Sequence, residues 1–118
     1  MVDYSKAMKI KISELSGRAL DWAVLTTEGH SELGALEIID ADSEAAAYSA
    51  FWDLGGPIIE REKMGLEYTE DWEWRAWSDW PYNHTEAFGS TPLVAAMRCL
   101  VYSQLGYEIE VPEELLRK

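Results

Sequence analysis

The sequence predicts an α+β domain, a small antiparallel or mixed sheet of three to five strands packed against two helices. One is a central C-terminal helix over about 91–105 and the other an N-terminal helix over about 16–27. Three observations predict this class. The stretch from Phe88 to Gly106 carries Leu93, Ala96, Met97, Leu100, Val101 and Leu105 at helical spacing, with Arg98 the one charge in its middle. Short segments such as MKIKI at Met8–Ile12 alternate apolar and charged residues as a half-solvated strand does. Helical and strand-like segments then follow one another without the regular strand–helix–strand alternation of a parallel sheet.

The helix ends are written in the sequence. Thr91 is an N-cap type, Pro92 suits the first helical position where no donor is needed, and Gly106 suits a left-handed stop. Residues 1–7 read as an extension and 8–118 as one domain, a length that buries about two thirds of the unfolded surface. Ser13 and Ser16 offer caps for the first helix, whose apolar face is Ala19, Leu20, Ala23 and Val24 with Trp22 flanking, and Gly29 ends it. His30 to Gly34 reads as a loop and Ala35 to Ile39 as a strand. The spacing of Asp40, Asp42 and Glu44 lacks the turn glycine and distal glutamate of a calcium loop. These carboxylates are assigned to the start of a short helix, Glu44 to Trp52. Gly55-Gly56-Pro57 is read as a break, Pro57 to Glu60 as a strand, and Gly65 as lying near a hairpin turn. Tyr107 to Val111 is expected as an edge strand and Pro112 to Leu116 as a final helical turn.

The segment Asp71–Tyr82 holds four tryptophans within nine residues. As a strand it places Trp72, Trp74 and Ala76 on one face and Glu73, Arg75 and Trp77 on the other, with Trp80 beyond its end. Trp22, Trp52 and Trp74 are expected in the core. Trp77 and Trp80 are expected near the surface, where aromatics of this size mark binding sites.

Charge and cysteine content narrow the function classes. Ten Lys and Arg against 22 Asp and Glu give −12, which disfavours direct nucleic-acid binding. No apolar run approaches the roughly 20 residues of a membrane span, and no signal-peptide core stands at the N-terminus. Cys99 has no partner for an intrachain disulfide and reads as a buried, reduced thiol. No catalytic residues, metal site or cofactor are expected: His30 and His84 lack ligand spacing, and Cys99 lies mid-helix, away from the N-terminus that would lower its pKa. The double glycine before Pro57 lacks the Lys-Ser/Thr of a phosphate loop.

Several pieces in order carry a family resemblance: Glu14-Leu15, Gly17-Arg18-Ala19-Leu20-Asp21-Trp22-Ala23-Val24, and Gly55-Gly56-Pro57-Ile58-Ile59-Glu60-Arg61-Glu62. Trp74-Arg75-Ala76, Thr91 to Cys99, Leu105-Gly106 and Val111 to Leu115 complete the set. From about Met8 to Leu115 the chain resembles the phage NinX family, encoded in the accessory nin region of lambdoid phages. It departs from the family pattern in having Gly89-Ser90-Thr91 where a glycine-proline-threonine is usual. The resemblance implies a phage accessory protein acting in the cytoplasm of the infected bacterium, and it implies no reaction.

Two functional expectations follow. In the first, a small-molecule or nucleotide ligand stacks on Trp74, Trp77 or Trp80, with its phosphate at the Ser90 and Thr91 amides, Arg61 or Arg75 as counter-charge, and Gly55 and Gly56 alongside. Such a protein could sequester a host defence signal. In the second, the tryptophans and the carboxylates of Asp71, Glu73 and Asp79 form an acidic interface that inhibits a host protein. A homodimer through an exposed tryptophan strand fits either expectation.

Overall fold

A computed structural model describes residues 6–80 and 83–116. The extension read over 1–7 falls mostly outside these residues, and Ala7 already belongs to a strand. Two small antiparallel sheets and four α-helices make up the α+β domain. Strand β1 (Ala7–Lys11) pairs with β5 (Glu108–Pro112), Met8 opposite Val111 and Ile10 opposite Ile109. Strands β2 (Gly65–Tyr68), β3 (Trp74–Ser78) and β4 (Thr85–Gly89) form a meander in the order β2-β3-β4.

Helix α4 (Pro92–Leu105) is the central element, packed on by the meander and by the first and third helices, while the second helix rests on the first and β1 on β5. Thr91 Oγ1 accepts from the Val94 amide at 3.1 Å, and the Gly106 amide closes the other end on the Tyr102 carbonyl. Leu93, Ala95, Ala96, Met97, Cys99, Leu100 and Val101 are all buried, because the meander covers one side and the other helices the opposite side. Leu105, expected in the buried stripe, is 41% exposed as the last residue of the helix. Gly89 allows β4 to close on the first turn of α4: a Cβ there would meet the Ala95 amide at 2.7 Å.

Helix α1 (Gly17–Thr27) follows a 3-10 turn over Ile12–Glu14 and buries its run from Ala19 to Leu25. Trp22 is in the core as expected, and its Nε1 donates to the Glu32 carbonyl at 3.0 Å, tying α1 to the next helix. That helix corrects the sequence reading. Residues Ala35–Ile39 are not a strand but the middle of α2 (Glu32–Ala41). Ser31 Oγ accepts from the Gly34 amide, and Ala35, Leu36 and Ile39 share one buried face, so capping and helical burial override the local β-branched preference.

The expected helix Glu44–Trp52 is a short 3-10 turn, Ser43–Ala46, followed by irregular backbone. Gly55-Gly56-Pro57 does not break a helix, nor does Pro57–Glu60 form a strand. Both lie inside α3 (Trp52–Arg61). Pro clashes with the Cβ and N–H of the residue before it, and Gly56, having no Cβ, removes part of that penalty, while Pro57 still forgoes its bond to the Asp53 carbonyl. Gly55 in turn lets α3 approach α4, since a Cβ there would stand 2.6 Å from Leu93 Cδ2 and 2.7 Å from the Tyr48 carbonyl. The helix ends instead at Arg61, closed by the left-handed Lys63 (φ 54°) and by the Met64 amide reaching back to the Ile59 carbonyl. Trp52, expected in the core, begins α3 and is exposed.

Candidate functional site

The meander has two unlike faces, set by strand alternation. Ala76 and Ser78 point inward with the half-buried Trp74, which makes an edge-to-face contact with Tyr68 on β2. Arg75 and Trp77 take the outward face, as the sequence pattern predicts. The Arg75 guanidinium lies 4.4 Å from the Trp77 ring centroid and reaches Glu86 on β4 at 2.7 Å and Glu67 on β2 at 3.1 Å. His84 extends the network, with Nδ1 2.7 Å from Asp79 and Nε2 3.6 Å from Glu86, and both carboxylates raise its pKa. Gly65 makes room for this arrangement: it pairs with Trp77 across the strands, and a Cβ at Gly65 would run into the indole.

Trp72 corrects the expected strand face. It lies not on β3 but in the turn from Thr69 to Glu73, closed by the Thr69 amide and hydroxyl, both donating to the Glu73 carbonyl at 2.8 Å. Its backbone is left-handed, at φ 65°, and its side chain is 84% exposed. A bulky residue in that conformation is a genuine outlier, the kind of strain that persists where the surroundings or the function require it. Trp80 follows β3 with Lys63 Nζ 4.2 Å above its ring, anchored by the Ser78 hydroxyl, which donates to the Glu62 carbonyl at 2.6 Å.

The residues expected to surround a ligand fall in separate places. Gly55 and Gly56 lie within α3, and the Gly55 amide is spent on the Phe51 carbonyl. Arg61 holds Glu28 with both terminal nitrogens, at 2.8 and 3.0 Å, and Glu62 through Nε. Ser90 and Thr91 follow Gly89, which pairs with Trp74 at the start of β3. Trp77 and Trp80 stand toward the opposite end, roughly 10–20 Å along the strand direction. Arg75, Trp77 and Trp74 come together on one strand, but Arg61 and Thr91 are engaged elsewhere.

Sequence reading passed over the strand β4, whose Glu86 joins the outward network, and Lys63 beside Trp80. The alternation in Thr85–Gly89 was a usable signal, since Thr85 and Gly89 are buried while Glu86 and Phe88 are exposed. Also passed over was a cavity of about 210 Å³ where β4 faces α4, with Arg98, Phe88, Tyr102 and Tyr107 among its walls.

Cys99 is buried, its Sγ 3.6 Å from the Thr85 carbonyl, and burial pushes its thiol up to about 12. Such a thiol is protonated at neutral pH and a poor nucleophile. Among the described residues no helix is long and apolar enough to cross a membrane.

A small α+β domain with an acidic, aromatic sheet face is thus the class of protein that fold and surface define. The family model for Bacteriophage P22 NinX matches residues 11–104, and the chain belongs to this phage family. No curated protein matches it.

Proposed function

We propose that this chain is a non-enzymatic phage accessory protein that works by binding a basic surface of a host protein, in the cytoplasm of the infected bacterium. The observation that carries the reading is Trp72, a large indole held in solvent by a left-handed turn. A core tryptophan would repay that strain through burial, whereas an exposed one gains by burial only when a partner covers it. Trp80 lies beyond the other end of β3, and the outward Arg75–Trp77 face stands between them. The five residues of β3 between them span roughly 16 Å, which fits within an interface of about 800 Å² per partner. Asp71 and Glu73 flank Trp72, the Arg75 and His84 pairs offset part of the charge of Glu67, Asp79 and Glu86, and the chain charge of −12 favours a cationic partner.

The nucleotide pocket expected from the sequence has less support. Arg61 and Arg75 already face carboxylates, and the Thr91 hydroxyl is occupied by the Val94 amide, so a phosphate would have to displace these partners. A second copy of the chain, pairing through the open edge of β2, is the competing occupant.

The test is quantitative co-purification from infected cells of the wild type and a W72A/W80A variant, beside thermal melts of both. The expected result is a basic host protein retained by the wild type at low salt and lost by the variant, with melting unchanged. Equal retention of the same protein by both, or a variant that no longer folds cooperatively, removes the tryptophans from the interface. Sedimentation showing a wild-type dimer and a monomeric variant would assign the face to self-association instead.

A further inference from the structure

Arg98 is unlike the other arginines among the described residues. Arg18, Arg61 and Arg75 each meet a carboxylate, at 3.0 Å to Asp40, 2.8 Å to Glu28 and 2.7 Å to Glu86. Arg98, half-buried on α4, has no carboxylate partner within ion-pair distance among the described residues. Its Nε donates to the Leu15 carbonyl and its Nη1 to the Phe88 carbonyl, both at 2.8 Å. A guanidinium has five N–H donors, so these two bonds fix its plane and leave three donors over. Burial lowers the pKa of Arg98 against the opposing pull of the Glu73 charge, and its remaining donors are accessible to a ligand or to water.

The same side chain lines the cavity of about 210 Å³. Phe88, Tyr102 and Tyr107 supply aromatic walls, the two tyrosines packing edge to face at 6.3 Å. Glu73 and Glu86 also line it, but Glu86 is committed to Arg75, which leaves Glu73 as the acceptor. One guanidinium beside two carboxylates disfavours a dianion such as a phosphate monoester. It suits a single carboxylate, which a guanidinium fork matches in geometry and charge. The small volume and aromatic walls select a flat body of one ring.

We propose that the cavity between β4 and α4 binds a small planar aromatic monocarboxylate, with Arg98 receiving the carboxylate and Glu73 accepting a hydrogen bond from an N–H or O–H donor on the ring. The cavity borders the protein-binding face through Glu73 and Glu86, but neither Trp72 nor Trp80 lines it, so the two readings are tested by different variants.

The probes are 2-aminobenzoate, benzoate and inorganic phosphate, titrated into the full chain and followed by amide and arginine side-chain NMR shifts. Saturable shifts of Phe88, Tyr102 and Tyr107 with 2-aminobenzoate are expected, with a Kd on the order of 0.1–1 mM for so small a ligand. Benzoate binds more weakly, and Glu73→Leu narrows the gap between the two by removing both the repulsion and the specific acceptor. Arg98→Gln abolishes binding. Because that change also strips two backbone carbonyls of their donor, Tyr107→Ala, at an exposed position, provides the second variant and weakens binding about tenfold. The W72A/W80A variant binds 2-aminobenzoate as the wild type does. The proposal is overturned by an absence of saturable shifts up to about 10 mM. It is equally overturned by undiminished binding to a folded Arg98→Gln chain, or by phosphate producing the same shifts with equal affinity.

Discussion

Asp21 shows how one residue carries a measurable signature. It is 5% exposed in α1, and its Oδ1 accepts from the Ser49 amide at 2.9 Å, joining α1 to the segment before α3. Burial raises its carboxyl from 3.8 to about 6, outweighing the Ser49 hydrogen bond that lowers it. Between those values the native chain holds a proton that the unfolded chain has released, so this group's contribution is largest at low pH. It is lost as pH rises through about 6, over a range worth up to about 3 kcal/mol. Asp21→Asn keeps an oxygen for Ser49 and removes the buried charge. Urea unfolding at about pH 8 should show the variant more stable than wild type by about 1–2 kcal/mol, with the difference vanishing near pH 4. Trp72 makes the opposite case. Trp72→Gly relieves a left-handed conformation at a cost in unfolded-chain entropy, so stability should equal or exceed wild type by up to about 1 kcal/mol while partner binding disappears. Lower stability of that variant in denaturant melts would mean that the indole holds the turn together.

At the scale of elements, helix α3 teaches most. Gly55, Gly56 and Pro57 each read as breakers, and the helix runs through all three, part of the penalty removed because Gly56 lacks the Cβ that Pro57 would strike. Gly55→Ala raises helix propensity by about 1 kcal/mol, yet its methyl must displace the Tyr48 carbonyl and Leu93. Net destabilisation of about 1–3 kcal/mol is expected by chemical denaturation, and a stabilised variant would show that α3 can move off α4 at little cost. Helix α4 obeys its sequence signals, so Thr91→Ala should cost about 1 kcal/mol through the lost Val94 cap. Helix α2 was misread because Leu36, Ile38 and Ile39 satisfy strand and helix preference equally over so few residues. The Ser31 cap, three residues ahead of Gly34, was the legible signal that decided it.

For the whole molecule, charge governs both stability and association. Ten cationic against 22 acidic residues repel one another in the compact state, and only part of that repulsion is relieved by the pairs of Arg18, Arg61 and Arg75. Raising NaCl from about 20 to about 500 mM contracts the screening length from about 20 Å to about 4 Å. Thermal melts over that range should rise with salt while affinity for a basic partner falls; movement of both in the same direction would contradict the electrostatic account of the acidic face. The sequence alone determined the α+β class, the central helix with its cap and stop, the family, and the outward placement of Arg75 and Trp77. The family was legible as a resemblance spread over the motifs from Glu14 to Leu115, and the others follow from local periodicity or from chemistry within a few residues. Only the tertiary structure decided that Trp72 leaves the strand for a turn, that Arg61 is already neutralised by Glu28, and that Arg98 opens on an aromatic cavity. Those facts depend on residues 33 positions apart in the case of Arg61 and Glu28, and 83 in that of Arg98 and Leu15. No local pattern encodes which distant carbonyl or carboxylate a side chain will meet once α4 is buried.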